Sequence, residues 1–272
     1  MEWVPNETVE SAAFIEKLAP RFPKYYPQFL SIIDKVFRRP MNSKALPDIC
    51  VFALGYMTVE DFMELLLLCC YGYGLGGLKI LRAMYEHHVT TAYLAKNPDE
   101  VERFVNYEHI TTDKLFRRAE ELQDAKQLMG SMVSAEFREE KRKQAEAVKK
   151  DYIIERCKEC HATGLQPSWS PLATDAMALK VSKDLYGLYG PNFLVPTWHL
   201  HSSFSAIASR QDPDVPGLTF SRPQDEYIQQ ALSSAHGLLP DVLALQSGYF
   251  KLQLDEEIEV VKRSFSEVWN HV

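Results

Sequence analysis

The sequence predicts an all-α protein, a single-domain bundle of about eight or nine helices. Two observations support this prediction. Helix-start signals precede long segments with helical spacing of apolar residues along the whole chain. No run shows the alternation and β-branched enrichment that are typical of strands. The 272 residues, of which 46% are hydrophobic and 25% charged, suffice for one large globular domain, and nothing marks a domain boundary.

Helix starts in the first half of the chain differ in strength. Asn6 leads into VESAAFIEKL, and Tyr26-Pro27 leads into QFLSIIDKVF. Thr58 resembles an N-cap before FMELLLLCC because acidic residues follow it in the first turn. Asn97 is a stronger cap, since Pro98 and two acids suit a helix N-terminus. It opens the segment VERFVNYEHITTDKLFRRAEEL.

The second half continues in the same manner. Ser134 begins a segment whose charges alternate in sign, which predicts an exposed helix with ion pairs four residues apart. Ser170-Pro171 and Pro191-Asn192 open two further segments. The remaining predicted elements are helices over 224–250, interrupted at 237–240, and over 255–270, with a proline-rich loop over 210–223.

The stretch 69-CCYGYGLGGLKILRAMYEHH-88 contains a G-x-G-x-x-G pattern. A dinucleotide-binding loop needs a strand before its glycines, whereas the preceding LLLLCC is Leu-rich and helical in character. The glycines instead indicate a break between helices or a close helix contact, and they precede a central helix over 75–96. The predicted core face of this helix consists of Leu78, Leu81, Tyr85, Val89 and Ala92.

Polar residues on the same helix form the candidate site. Arg82 and Glu86 are four residues apart and can form an ion pair. One interpretation is a solvated surface pair, which contributes little to stability. The other is a pair covered by the helix that bears His199 and His201, where a buried ion pair recruits further polar groups.

The run 81-LRAMYEHHVTTAYLAKNPDEVERFVNY-107 resembles an all-helical bacterial family, domain of unknown function 5677. The resemblance covers about 70–210 and includes Trp169, the segment YGLY at 186–189 and WHLHSSF at 198–204. It implies an Arg82–Glu86–His cluster and supplies no function. Whether His199 or His201 joins this cluster stays open, because the segment PNFLVP precedes Trp198.

A second resemblance is to the HEPN ribonucleases, whose motif of Arg, four to six residues and His is matched by Arg82 and His87. It implies metal-independent RNA cleavage across a homodimer, with a role in bacterial defence. The histidine would transfer a proton and the arginine would bind the scissile phosphate. On one regular helix these two side chains lie about 140° apart, so they converge only through distortion or a second chain.

Several classes of function are disfavoured by composition. A net charge of −7 disfavours non-specific binding to nucleic acid, and no apolar run is long enough for a membrane span. Five cysteines and an N-terminus without a signal sequence predict a cytoplasmic protein. The C-x-x-C-H sequence at 157–161 lacks a second ligand pair, so neither a metal nor another cofactor is predicted.

The leading hypothesis is therefore a role in binding a small ligand or a protein partner, with RNA cleavage as the alternative. The candidate site residues are Arg82, Glu86, His87 and His201.

Overall fold

The protein is all-α, as predicted, in a computed structural model that describes residues 13–122, 133–155, 159–201, 204–208 and 225–269. The predicted loop over 210–223 and the first helix start at Asn6 lie outside these residues. Helices α1 to α6 span Ala13–Leu18, Phe22–Phe37, Leu46–Cys70, Gly74–Lys96, Val101–Glu121 and Ala135–Val148. Helices α7 to α12 span Thr174–Val181, Lys183–Gly187, Val195–Leu200, Phe204–Ala208, Asp225–Phe250 and Asp255–Trp269.

Shorter elements complete the described chain. A π-helix, Gly190–Leu194, connects the region of α8 to α9, and 3-10 turns occur at Pro98–Glu100 and Lys149–Tyr152. Strands β1 (Ile153–Glu155) and β2 (Thr163–Leu165) pair antiparallel, with Ile154 opposite Gly164. This hairpin corrects the expectation that no sheet forms. Three-residue strands are too short to show a clear alternation in the sequence.

Contacts divide the described residues into two compact units. Those up to Lys96, together with those from Thr174 onward, form the first unit, and Asn97–Ala173 form the second. The single-domain organisation stays a prediction.

The core of the first unit is formed where α3, α4 and α11 pack against one another. Helix α4 also packs against α7, the π-helix and α9, so it lies centrally in this unit. The predicted core face of α4 is confirmed: Leu78, Leu81, Tyr85, Val89 and Ala92 are all buried. Helical periodicity identified these residues because each lies on the face that neighbouring helices cover.

The glycine pattern lies at the turn between α3 and α4, and it makes the close contact that sequence reasoning expected. Gly72 follows α3 with a φ of 84°, a backbone conformation that favours glycine. A Cβ at Gly74 would lie 2.4 Å from the backbone nitrogen of Ile228, so α11 approaches the start of α4 directly. The glycines therefore serve the turn between α3 and α4 and the close contact with α11.

Several helix boundaries differ from their predictions. Helix α2 begins at Phe22, so the predicted start at Tyr26-Pro27 lies inside it. Helix α3 begins at Leu46, and Thr58 is buried inside it, where its hydroxyl donates to the carbonyl of Leu54 at 2.8 Å. The predicted cap was wrong because apolar residues occupy every side of α3, so periodicity did not reveal its first three turns. Helix α11 continues through Pro240 without the predicted interruption.

The second unit is built on α5 and α6, which pack together. Ser134 caps α6 as predicted and accepts a hydrogen bond from the backbone N–H of Phe137 at 3.2 Å. The Arg103 guanidinium lies 4.8 Å from the ring centre of Tyr152 and donates from Nε to the carbonyl of Trp169 at 2.9 Å. These contacts attach the segments before β1 and after β2 to α5.

Candidate ligand-binding site on helix α4

Arg82 and Glu86 lie one turn apart on α4. Arg82 Nη2 is 3.6 Å from Glu86 Oε1, which is an ion pair too long for a good hydrogen bond. The Arg82 side chain is 24% exposed and that of Glu86 is 40% exposed. The pair is therefore only partly covered. It is neither the fully solvated pair nor the buried pair that the sequence allowed.

The group that covers Arg82 is an aromatic ring. The guanidinium lies 4.5 Å from the ring centre of Phe193 in the π-helix. Phe193 stacks on Tyr189 at 4.8 Å with an interplanar angle of 17°, and Tyr189 stacks on Tyr186 at 6.5 Å with an angle of 4°. We call Arg82, Phe193, Tyr189 and Tyr186 the stacked ladder. It runs from the guanidinium to an exposed tyrosine.

The π-helix contains Phe193 and directly follows Tyr189. Pi-turns widen a helix locally and are frequent at functional sites. Asn192, which is buried within this turn, donates from Nδ2 to the carbonyl of Leu188 at 3.0 Å, but its Oδ1 has no partner among the described residues. Tyr85 of α4 donates its hydroxyl to the carbonyl of Leu185 at 2.8 Å, which fastens α8 to the central helix.

Burial and nearby charges shift the pKa of two tyrosines in this region. Burial raises the pKa of Tyr189, and the Asp175 carboxylate adds to the rise while Arg82 opposes it. Burial also raises the pKa of Tyr85, with contributions from Tyr189 and Asp175. Both phenols therefore stay protonated at neutral pH and can donate hydrogen bonds.

The Arg82 guanidinium forms a long ion pair with Glu86 and no hydrogen bond within the described part of the chain. Among the described residues no acceptor hydrogen-bonds to its guanidinium, and its Nε is shielded from solvent without a partner. A guanidinium offers five N–H donors in a fixed plane. The ladder thus holds a planar donor group in place, and none of its N–H groups is hydrogen-bonded to another described residue.

His87 contacts a different neighbour. Its Nδ1 lies 2.7 Å from Oδ2 of Asp61 in α3, and the two side chains are 27% and 16% exposed. A carboxylate can only accept, so Nδ1 of the neutral ring carries the proton and Nε2 has the free lone pair. An imidazole whose Nδ1–H is held by a carboxylate in this way can act as a general base.

The structure does not bring the four predicted site residues together. Arg82 and Glu86 lie toward the π-helix, and His87 lies toward α3. The side chain of His201, directly after α9, is exposed and makes no hydrogen bond or ion pair with Arg82 or Glu86 among the described residues. The ring of His199 packs on Tyr227 at 5.0 Å.

Sequence reasoning expected the segment around His199 and His201 to cover Arg82, and an earlier part of that segment does so with Phe193. The spacing of Tyr186, Tyr189 and Phe193 is a signal that could have revealed the ladder, since residues three and four apart share one helix face. No local signal links Asp61 to His87, because they belong to different helices.

The match to known families concerns this region. The model of a family of unknown function, DUF5677, matches residues 51–216, more than half of the chain. The chain belongs to this family. The DUF5677 match includes the whole stacked ladder and the Asp61–His87 pair, but it does not include α2, α11 or α12. Neither the curated proteins nor the solved structures contain a match to the chain.

Two further features of this DUF5677 protein bear on function. Among the helices formed by the described residues, none combines the length and the apolar character that crossing a membrane requires. In the C-x-x-C-H sequence, Cys157 lies outside the described residues, Cys160 is exposed, and His161 Nδ1 lies 2.5 Å from Glu155 Oε1.

Proposed function

We propose that the protein binds a small planar ligand at Arg82 and Glu86. The observation that carries the proposal is a guanidinium stacked on Phe193 with none of its donors used by the described residues. The adjacent Glu86 carboxylate offers acceptors. A ligand edge with an acceptor for Arg82 and a donor for Glu86 satisfies both, as in a carboxamide or a nucleobase. The proposed setting is the cytoplasm.

Three benzene derivatives of similar size test this assignment. Benzamide presents an acceptor beside a donor, benzoate presents acceptors only, and benzylamine presents donors only. The Nε–H resonance of Arg82, assigned by its absence in Arg82→Lys, reports binding in ¹H–¹⁵N spectra. We expect benzamide to shift this resonance most strongly and Arg82→Lys to abolish saturable binding.

The control for this titration is Arg117→Lys, which changes an exposed arginine of the second unit that pairs with Asp113 and Glu146. This variant should bind benzamide as the wild type does. The proposal is wrong if none of the three compounds moves the Arg82 resonance at millimolar concentration.

RNA cleavage is the second candidate, and the Asp61–His87 pair is the observation that favours it. In this proposal Asp61 orients His87, whose Nε2 removes a proton from the RNA 2′-hydroxyl. Because Arg82 and His87 contact different neighbours, a second copy of the chain would supply the arginine. A role in bacterial defence would follow only from this class of activity.

Metal-free incubation with structured and unstructured RNA tests the second candidate. The expected result is cleavage by the wild type that is lost in His87→Ala and Arg82→Ala, and restored when these two variants are mixed, because each then supplies the missing group. His109→Ala, in the second unit, serves as the control. Intact RNA at every wild-type concentration would remove the nuclease proposal.

A further inference from the structure

A cavity lies between α2 and α3, in the first unit and away from the stacked ladder. Its volume is about 520 Å³, within the range of roughly 300–1,000 Å³ that small-molecule sites occupy. Its apolar lining includes Leu30, Ile33 and Met63. It therefore has room for a ligand with an alkyl or aryl portion.

Two aromatic side chains form one wall of the cavity. The rings of Phe37 and Tyr56 have their centres 5.9 Å apart and are inclined at 65°. Phe37 is buried, whereas Tyr56 is exposed and lines the cavity. Aromatic faces attract organic cations, and more strongly when the cation leaves water.

Carboxylates line the cavity with a surplus of negative charge. Asp34 pairs with the exposed Arg38 at 3.0 Å. Glu60 and Glu64, one turn apart on α3, have no basic partner among the described residues. An anionic ligand would meet these two carboxylates unfavourably, whereas a cation would be attracted by both.

We propose that this cavity is a binding site for an organic ammonium ion with an apolar tail. The tail lies on Ile33 and Met63, and the cationic head lies between the Tyr56 ring and the carboxylates of Glu60 and Glu64. Charge complementarity selects this occupant over a neutral or anionic one. The site is independent of the ligand assigned to Arg82.

Three compounds with a six-carbon chain and different head groups test the role of charge. Hexyltrimethylammonium, hexanol and hexanoate are titrated into the full-length protein and followed by isothermal calorimetry and ¹H–¹⁵N spectra. We expect the ammonium compound to bind at least tenfold more tightly than hexanol, and hexanoate to bind least. Added salt should weaken the ammonium complex and leave the hexanol complex unchanged.

Variants locate the bound head group. Replacing both carboxylates, Glu60→Gln with Glu64→Gln, should weaken ammonium binding at least tenfold and leave hexanol binding unchanged. Tyr56→Phe should keep the affinity because the ring face remains, and Tyr56→Leu should lower it several-fold. The matched control removes two exposed carboxylates of α6, Glu139→Gln with Glu140→Gln, and should bind as the wild type does.

Circular dichroism confirms that each variant is folded before its affinity is compared. Equal binding of hexanoate and hexyltrimethylammonium, or an undiminished affinity in the folded double glutamine variant, would overturn the proposal. Sedimentation velocity tests a second copy as the competing occupant. A wild-type dimer that Tyr56→Glu dissociates would assign this face to self-association instead.

Discussion

Two histidines, His88 on α4 and His236 on α11, are both buried but differ in their hydrogen bonds. Burial lowers the pKa of each to about 4. His88 Nδ1 has no partner among the described residues, and the nearby Asp241 carboxylate only partly offsets its burial. Both nitrogens of His236 have partners.

The proton positions around His236 are determined by its neighbours. Trp269 Nε1–H, which can only donate, lies 3.0 Å from His236 Nδ1, so Nδ1 accepts and Nε2 carries the proton. Nε2 donates to Ser264 Oγ at 3.1 Å, and that hydroxyl donates to the carbonyl of Val261 at 2.6 Å. This chain of hydrogen bonds ties α12 to α11.

Burial of a polar ring therefore does not by itself show what the ring contributes to stability. Removing a ring whose nitrogens are both hydrogen-bonded lowers the free energy of unfolding, because the partners of that ring lose their hydrogen bonds. A buried ring nitrogen without a hydrogen-bond partner already destabilises the folded protein, because it has lost its contact with water. Replacing that ring with an apolar side chain relieves this cost. Four experiments separate these cases.

Lowering the pH should have the largest effect on stability. Between pH 6.5 and about 4 the unfolded chain binds a proton at each histidine and the folded chain does not. The free energy of unfolding therefore falls as the pH falls through this window, by up to roughly 3 kcal/mol for each histidine. Urea titrations at several pH values measure it, and a flat profile over this window would contradict the low pKa values.

His236→Ala should lower the free energy of unfolding by about 3 kcal/mol. It opens a cavity among aromatic rings and leaves the Trp269 indole N–H and Ser264 without their partner. Urea unfolding at pH 7, followed by circular dichroism, gives the value. A loss smaller than that of the same substitution at His88 would reverse the comparison.

Trp269→Phe should have a smaller effect, about 1–2 kcal/mol. It keeps most of the aromatic volume but removes the N–H that His236 Nδ1 accepts. Since the free Nδ1 can then take up a proton more easily, the acid sensitivity of the variant should begin at a higher pH. NMR titration of the His236 ring protons measures this shift. An unchanged pKa of His236 would show that burial lowers this pKa without help from the Trp269 hydrogen bond.

His88→Leu should have the smallest effect, within about 1 kcal/mol of the wild type in either direction. The substitution loses ring packing but removes a buried nitrogen that has no partner among the described residues. His236→Leu is the matched control and should be clearly less stable. Equal losses in the two variants would show that His88 has a partner of comparable strength.

Sequence reasoning predicted local features well in this chain. The predicted helix over 75–96 agrees with Gly74–Lys96, and the all-α class is confirmed. The Ser134 cap is confirmed for the same reason: a capping residue and its helix are neighbours in sequence. Thr58 was misread as a cap because Glu60 and Asp61 follow it, and the real start at Leu46 gave no periodic signal because apolar residues occur on every side of α3.

The helical class, the core face of α4 and the spacing of Arg82 and Glu86 follow from the amino-acid sequence alone, because helix geometry relates residues within a few turns of each other. Tertiary structure decided which groups meet those residues: Phe193 rather than a histidine covers Arg82, and Asp61 rather than Arg82 accompanies His87. Such pairings depend on how separate helices pack, and that packing is set by the combined burial of many side chains rather than by any local pattern.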